Sequence, residues 1–520
     1  MKNNTDFPVA CRGNKTMGDC QGGESAAFPP VSALELIPLV QSKQVSKTAI
    51  SLSIIQLFST LSYAVLYSTI VLYATQTLHF AETTATGIMG AFCAFNYGLH
   101  LLGGYLGGRL ISWRFLFLLG MCLQIIGCLF ISIPTTINFY YGLALFLTGS
   151  GLNVTCINMM VTQLFEPHDK NREKAFFWNY AFMNIGFFVG FSMAGYFQIK
   201  HTFNLLFILA SCSNAITAFF TILFWKHLKD RHTLLTNLTR KTRGLKLTFG
   251  ILYIIILFIA LIWFIRHASI SNKLILLVGS IMFCILISFV LTEKEKKTRN
   301  KLISYIIFAL ASLAFWTLYQ LAPMALTLFA EYNVNRNYHG FLIAPQWIQN
   351  INSTIIIFGG PLLGLLIQKM RRSGINFSLP LQFSLSLLLV GCGLAILPIG
   401  IIYAAKNGLV NFNWILCSYI LQSLGELFIG PIGYAMIGQL ISKKLQGVMM
   451  GTWMMTSGVA AVLSNYASIY AIKNSLSTNP LITNAGYAHM FNSLGWTCVF
   501  LGTIMFCFVP RLKKLTQEEI

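Results

Sequence analysis

Gly103-Gly104-Tyr105-Leu106-Gly107-Gly108-Arg109-Leu110-Ile111 ends one long apolar run, and Gly359-Gly360-Pro361-Leu362-Leu363-Gly364-Leu365-Leu366-Ile367 ends another, 256 positions later. Six of the nine positions are identical. Each copy runs into a basic turn, with Arg109 and Arg114 at the first and Lys369, Arg371 and Arg372 at the second. A weaker echo at an offset of 276 aligns Gly149 with Gly425 and Gln163-Leu164 with Gln439-Leu440. Two echoes in corresponding runs read as a duplicated helical unit, a construction frequent in secondary transporters. The small residues at these helix ends are expected to let neighbouring helices approach closely, as rocking of one unit against the other requires.

The apolar runs themselves are long enough to cross a bilayer, which takes roughly 20 helical residues. Fourteen are read, at about 48–76, 84–108, 113–134, 137–165, 174–198, 202–225, 246–266, 272–292, 301–330, 340–368, 377–404, 411–441, 446–472 and 488–510. Barrel strands would be half as long and alternate in polarity, so the fold class is an all-α polytopic membrane protein. The bulk composition agrees: 56% of residues are hydrophobic and 10% charged, against about 25% charged in a soluble domain. The duplication pairs spans 1–6 with spans 9–14 and leaves spans 7 and 8 as an insert. The expected organisation is a tail at 1–45, a six-helix bundle at 46–226, basic linkers and a two-helix insert at 227–300, a second six-helix bundle at 301–510 and a tail at 511–520.

A net charge of +21 would suggest nucleic acid, but the basic residues sit in short gaps between apolar runs and not on one face or arm. With the N-terminus inside, 30 of the 36 Lys and Arg fall on the inner side and 6 on the other. The positive-inside rule then places both termini in the cytoplasm of a cell bounded by a plasma (inner) membrane. Residues 1–40 are polar and lack an apolar core, so they read as a disordered tail and not a cleaved signal. Cys11 and Cys20 lie there and are expected to be free thiols; the other ten cysteines fall in apolar spans without metal-ligand spacing. No metal, no cofactor and no nucleic-acid partner is expected.

Ionisable residues at bilayer depth are costly and carry a functional hypothesis by default. Of the fifteen Asp and Glu, only Glu426 lies midway along an apolar run, and no Lys or Arg lies at comparable depth. Glu426 is therefore either a neutral hydrogen-bonding acid or an anion awaiting a cationic ligand; a structural acid bonded to backbone is the bland alternative. His100 is the histidine nearest mid-span and offers a proton relay, or else a bond to a neighbouring helix. Many further polar and aromatic residues at this depth, Gln56, Asn96, Asn153 and Tyr67 among them, are too numerous for lipid-facing surfaces and imply a polar central cavity. Paired carboxylates, Cys/His sets and a Ser-His-Asp arrangement with an intramembrane acid are missing from the spans, so an enzyme is not expected and no catalytic residue is named.

Ser423-Leu424-Gly425-Glu426-Leu427 with Gly430-Pro431-Ile432-Gly433, the stretch Lys444 to Trp453, and Phe315-Trp316-Thr317-Leu318-Tyr319-Gln320 followed by Leu326-Thr327-Leu328-Phe329-Ala330 resemble the signatures of the proton-dependent oligopeptide transporter (POT/PTR) family of the major facilitator superfamily. Gly103-Gly104-Tyr105-Leu106, Phe165-Glu166-Pro167 and Asn184-Ile185-Gly186 extend the likeness into the first half. The resemblance implies a major facilitator fold with two six-helix bundles and a two-helix insert, fourteen spans in all. It implies that Tyr63, Tyr97, Tyr180 and Asn184 line a substrate pocket from the first half, and Trp316, Gln320, Asn352 and Trp453 from the second. Glu426 matches the acid that holds a peptide's amino end.

The departures are as informative. The family's first span carries Glu-x-x-Glu-Arg-Phe-x-Tyr-Tyr, whereas here Gln56-Leu57-Phe58-Ser59-Thr60-Leu61-Ser62-Tyr63-Ala64 lacks both acids and the arginine. The family's lysine of the fourth span aligns with Val154, the acid of its seventh helix with Gln320, and the aspartate of the loop after the second span with Gly108. Groups linked to proton coupling and to a peptide's carboxylate are absent together, while the aromatic pocket and amine-binding acid persist. A cavity with one anion and no cation has no partner for a desolvated substrate carboxylate. The expected function is secondary active transport of small peptides or related amine-bearing solutes by alternating access. A blocked or amidated peptide, an amino-acid derivative or a polyamine-like cation suits it, and ordinary di- and tripeptides remain if neutral groups bind the carboxylate. Proton coupling would run through Glu426 aided by His100. The alternatives are a uniporter or facilitator for a cationic amine and a non-transporting solute receptor. The partners expected are the substrate, protons and lipid, with the chain a monomer.

Overall fold

The computed structural model describes residues 33–165, 170–231, 233–236, 238–338, 340–374, 377–430, 433, 436–437, 440–441, 445–472 and 477–516. Most of the expected N-terminal tail, including Cys11 and Cys20, lies outside these residues, as do residues 517–520 and Glu166-Pro167 and Pro431-Ile432 of the family-like stretches. The helices are α1 (Ala33–Gln76), α2 (Glu82–Leu106), α3 (Trp113–Ser132), α4 (Thr136–Thr162), α5 (Lys170–Ile199), α6 (Phe203–Leu223), α7 (Arg240–Arg266), α8 (Ala268–Thr292), α9 (Lys296–Tyr319), α10 (Ala325–Tyr332), α11 (Pro345–Arg372), α12 (Leu379–Ile402), α13 (Phe412–Ile429), α14 (Gln446–Ile472), α15 (Pro480–Cys507) and α16 (Val509–Thr516). Strands β1 (Val334–Asn335) and β4 (Val410–Asn411) pair in parallel, and β2 (Asn337–Tyr338) and β3 (Phe341–Leu342) antiparallel. Two units separate by their internal contacts, Met1–Gln44 and Val45–Ile520, and both helical bundles and the insert belong to the second.

Among the described residues twelve helices are long and apolar enough to cross a membrane. Helices α2 and α14 occupy the two remaining expected stretches and fall short of that apolarity. They carry Thr, Ser, Asn and Gly because they pack on each other. Cβ atoms at Gly90 and Gly458 would lie 2.7 Å from Asn465 and 3.2 Å from the Ala94 carbonyl. Several expected boundaries move. The span read at 301–330 is broken: α9 ends at Tyr319, the chain turns through Gln320–Met324, and α10 resumes at Ala325. Pro323 lies in this turn and has no N–H to donate back along a helix. Within the span read at 411–441, α13 ends at Ile429, and among the described residues beyond it Gly433, Met436, Ile437 and Leu440 are again helical. Helix α1 begins at Ala33, so helix covers the last residues of the expected tail.

The packing repeats between halves. Helix α3 packs on α4 and α6, and α12 on α13 and α15; α2 packs on α4, and α11 on α13. Across the halves α5 meets α11 and α14 meets α2, again corresponding pairs. The insert helices α7 and α8 lie outside this frame, α7 against α4 and α2, α8 against α2, α14 and α9. Each buries few side chains and leaves an apolar perimeter suited to lipid.

The duplicated glycine stretch behaves differently in its two copies. In the first, a Cβ on Gly103 would lie 2.9 Å from the Leu152 carbonyl of α4, one on Gly107 would meet the Trp113 ring at 2.0 Å, and Gly108 sits at φ +71°. The expected close approach holds there. In the second it holds only at Gly359, whose Cβ would lie 2.9 Å from Leu427 Cδ1 of α13, while Gly360 and Gly364 meet nothing within 4 Å. The reason is where α11 runs. It touches α5 where Gly195 lies against Trp347 and Ala344, then parts from it, and Gly360 borders the resulting cavity.

Candidate functional site

The cavity lies between the halves, has a volume of about 710 Å³, and is lined by α1, α2, α3, α4 and α5 on one side and α9, α11, α13 and α14 on the other. Near the start of α5, Phe177 lines it and is exposed, and Val154, within α4, lines it at 41% exposure. Toward the other end of α5, this helix and α11 are in contact. Indole Nε1 of Trp347 donates to the Ser192 carbonyl at 2.9 Å, and Asn350 Nδ2 donates to Ser192 Oγ at 2.9 Å. The cavity is thus closed at one end and open toward the side of the basic loops.

Glu426 faces this space three residues before the end of α13. Gly425 beside it lets α13 approach α12, a Cβ there lying 3.0 Å from the Ser386 carbonyl. Asn352 of α11 donates Nδ2 to Glu426 Oε2 at 2.6 Å and to Ser423 Oγ at 3.3 Å. Tyr319, the last residue of α9, also hydrogen-bonds the carboxylate. Two further helices of the same half, α9 and α11, therefore hold the acid carried by α13, both through neutral groups. Among the described lining residues Glu426 is the only acid and there is no Lys or Arg. It faces the cavity, and its carboxylate is held by side chains and not by main chain.

The aromatic wall forms as expected. Trp316 packs edge-on to Phe315 and Tyr319, each with ring centroids 5.2 Å apart, and Trp453 meets Phe383 edge-on at 6.3 Å. Across the cavity Tyr63 lies 5.9 Å from Tyr67, and its hydroxyl accepts from Asn96 Nδ2 at 3.4 Å. Tyr97 and Tyr180 also line the space, but Asn184 turns its Nδ2 back to the Tyr180 carbonyl at 3.0 Å.

Gln320 is the expected site residue that does not line the cavity. It is fully buried at the α9–α10 break, accepting from the Tyr67 hydroxyl at 3.1 Å and donating to the Tyr97 hydroxyl at 3.2 Å. His100 lines the cavity beside Tyr97, its Nε2 buried without a hydrogen-bond partner among the described residues. It stands on the half opposite Glu426. Residues missed by sequence reading are Tyr319, Gln349, Ser353 and Gln422, all lining the cavity. Tyr319 lies inside a family-like stretch, but its role depends on α9 ending there.

A family model described as the POT family matches residues 114–480. The chain is 28% identical over 471 residues to a protein of Erwinia pyrifoliae (strain DSM 12163 / CIP 106111 / Ep16/96) named dipeptide and tripeptide permease A, covering 89% of this chain and 94% of that one. Among solved structures it superposes on a peptide transporter POT in complex with sulfate with a TM-score of 0.79 at 22% identity, covering 90% and 95% of the two chains. A POT family transporter in complex with 5-aminolevulinic acid gives 0.77 at 22% identity, covering 90% and 96%. The match extends over most of the chain and includes both cavity walls, and on that ground this chain is a multi-pass membrane transporter of the POT family.

Proposed function

We propose that this transporter carries small peptides or related amine-bearing solutes by alternating access, with Glu426 holding the substrate's amino group. The observation that carries the reading is the lone cavity acid held by Asn352 and Tyr319, with no cation among the described lining residues. A neutral pair of partners leaves the carboxylate's charge for the ligand. The relative named a dipeptide and tripeptide permease and the neighbour bound to 5-aminolevulinic acid support a small amine-bearing substrate.

The same electrostatics bears on the substrate's other end. A carboxylate entering the cavity would be desolvated without a cationic partner, which favours an amidated, esterified or cationic far end over a free acid. Tyr63, Tyr97, Tyr180, Trp316 and Trp453 supply ring faces for the middle of such a ligand, and for a cation among them. The open side carries most of the basic residues, so by the positive-inside rule it is the cytoplasmic side of a plasma (inner) membrane, and both termini lie there. The chain works as a monomer in this reading. Where protons are coupled, they load at Glu426 with His100 on the facing wall.

Counterflow into proteoliposomes tests the reading with alanyl-alanine, its amide and its N-acetyl form. Uptake of the amide exceeding that of the acid, and lost on N-acetylation, is expected. Uptake indifferent to N-acetylation overturns the role of Glu426. Accumulation that ignores an imposed pH gradient identifies a uniporter, and saturable binding without flux identifies a receptor.

A further inference from the structure

Away from the cavity, the closed ends of the two halves meet around one carboxylate. Gln76, at the end of α1, donates Nε2 to Glu331 Oε1 at 3.2 Å, and Gln198, near the end of α5, donates Nε2 to Glu331 Oε2 at 3.3 Å. Within its own half Glu331 pairs with Arg336, whose Nη2 lies 3.1 Å from Oε2, both side chains being 12% exposed. Arg336 is itself held by the Ile343 carbonyl at 3.0 Å and the Glu331 carbonyl at 3.3 Å.

The charges are divided unevenly across this contact. Acid and arginine belong to the C-terminal half, and the N-terminal half bonds Glu331 only through the neutral amides of Gln76 and Gln198. When the halves part here, Glu331 keeps Arg336 and the glutamines pass to water. An ion pair spanning the halves would instead leave two uncompensated charges on separation, at a large cost. Bonds from amides to a carboxylate are charge-assisted and hold well while closed, so this contact is firm yet separable.

Glu331 is carried by α10, which is joined to α9 only through the turn Gln320–Met324. At the other end of the same segment Gln320 bonds Tyr67 and Tyr97 of the N-terminal half. The turn before α10 and the end of α10 therefore each contact the opposite half, the first through Gln320 and the second through Glu331. We infer that Glu331, carried by α10, is a latch on the closed side of this transporter, released by breaking the Gln76 and Gln198 bonds while the Arg336 pair persists. The latch sets how the protein divides its time between the two open states. It rests on alternating access and not on the substrate's identity.

The test uses the full chain in lipid nanodiscs and the double variant Gln76→Ala/Gln198→Ala, which leaves the ion pair in place. Hydrogen–deuterium exchange is followed at the closed ends (residues 70–78 and 192–200) and at the open ends (residues 175–182 and 358–366). Faster exchange at the closed ends, by about tenfold or more, is expected together with slower exchange at the open ends. A merely loosened structure does not slow the open ends. Glu331→Gln, which still accepts one bond, gives a smaller effect than Glu331→Ala. Should Glu331→Ala fail to fold, the double variant decides alone. Unchanged exchange in that variant, or exchange raised equally at both ends, overturns the latch.

Discussion

Replacing Glu426 by glutamine removes the cavity's charge while keeping nearly all of its shape. The glutamine carbonyl can still accept from Asn352, now 2.6 Å from Oε2, and from Tyr319, so the neutral scaffold around the position survives. What goes is the charge itself. A hydrogen bond to a charged group contributes about 1.5–3 kcal/mol net, so affinity for an amine-bearing ligand should fall roughly ten- to hundredfold at about 1.4 kcal/mol per decade. The Coulomb term alone, about 4 kcal/mol at 4 Å and an effective dielectric of 20, is an upper figure, because the ligand's ammonium must also shed water. Folding and membrane insertion should be unharmed, since an uncharged residue is cheaper at this depth. Isothermal titration of the purified variant with alanyl-alanine amide and its N-acetyl form reads the effect. The first should weaken by that factor and the second should not. Equal affinity of wild type and variant for the amine ligand would refute the assignment and return Glu426 to a structural role.

Placing lysine at Val154, a half-exposed cavity position, should reverse the order of preference so that alanyl-alanine competes better than its amide in counterflow. Gly103→Ala should lower thermal stability by about 1–3 kcal/mol through overpacking against α4, whereas Gly360→Ala, with open space around it, should be neutral or gain up to about 1 kcal/mol of helix propensity; unfolding in detergent separates the two. In the loop after α6, the Asp230 carboxylate accepts the Trp113 N–H at 3.1 and 3.2 Å. Burial nevertheless holds its acid above the ordinary range, outweighing that bond and the nearby Arg114. A raised folded-state value means the folded protein binds the proton more tightly, so stability is lost as pH climbs from about 3.9 through the folded-state value. Asp230→Asn should abolish that slope. Melting temperatures of both proteins from pH 4 to pH 8 should therefore diverge in favour of the variant as pH rises.

The helical class, the membrane setting and the family were legible in the residues because each rests on local physics. Backbone in hydrocarbon must satisfy its own hydrogen bonds, so runs near 20 apolar residues can only be helices. Glu426 stood out for the same reason, as a charge at a depth where charges are costly. The repeat at Gly103 and Gly359 was visible as well, and corresponding helices do pack in corresponding pairs. Its consequence was not visible. A glycine supplies room for a neighbour but does not bring one: Gly359, like Gly103, meets a neighbouring helix, whereas Gly360 and Gly364 border open space.

Other features belonged to tertiary structure alone. Hydropathy carries α9 straight through residue 330, yet the helix ends at Tyr319, and Gln320 beside that break is a bridge between two tyrosines and not a lining residue of the cavity. The break also leaves Tyr319 at a helix end, against Glu426. Glu331 looked like an ordinary loop acid. It becomes a junction only because Gln76 and Gln198, more than a hundred positions away, arrive on other helices. Composition and spacing along one strand of chain determined what kind of molecule this is. Which polar groups meet across the gap between its halves was decided by packing, since a hydrogen bond depends on a few tenths of an ångström that no single stretch of residues encodes.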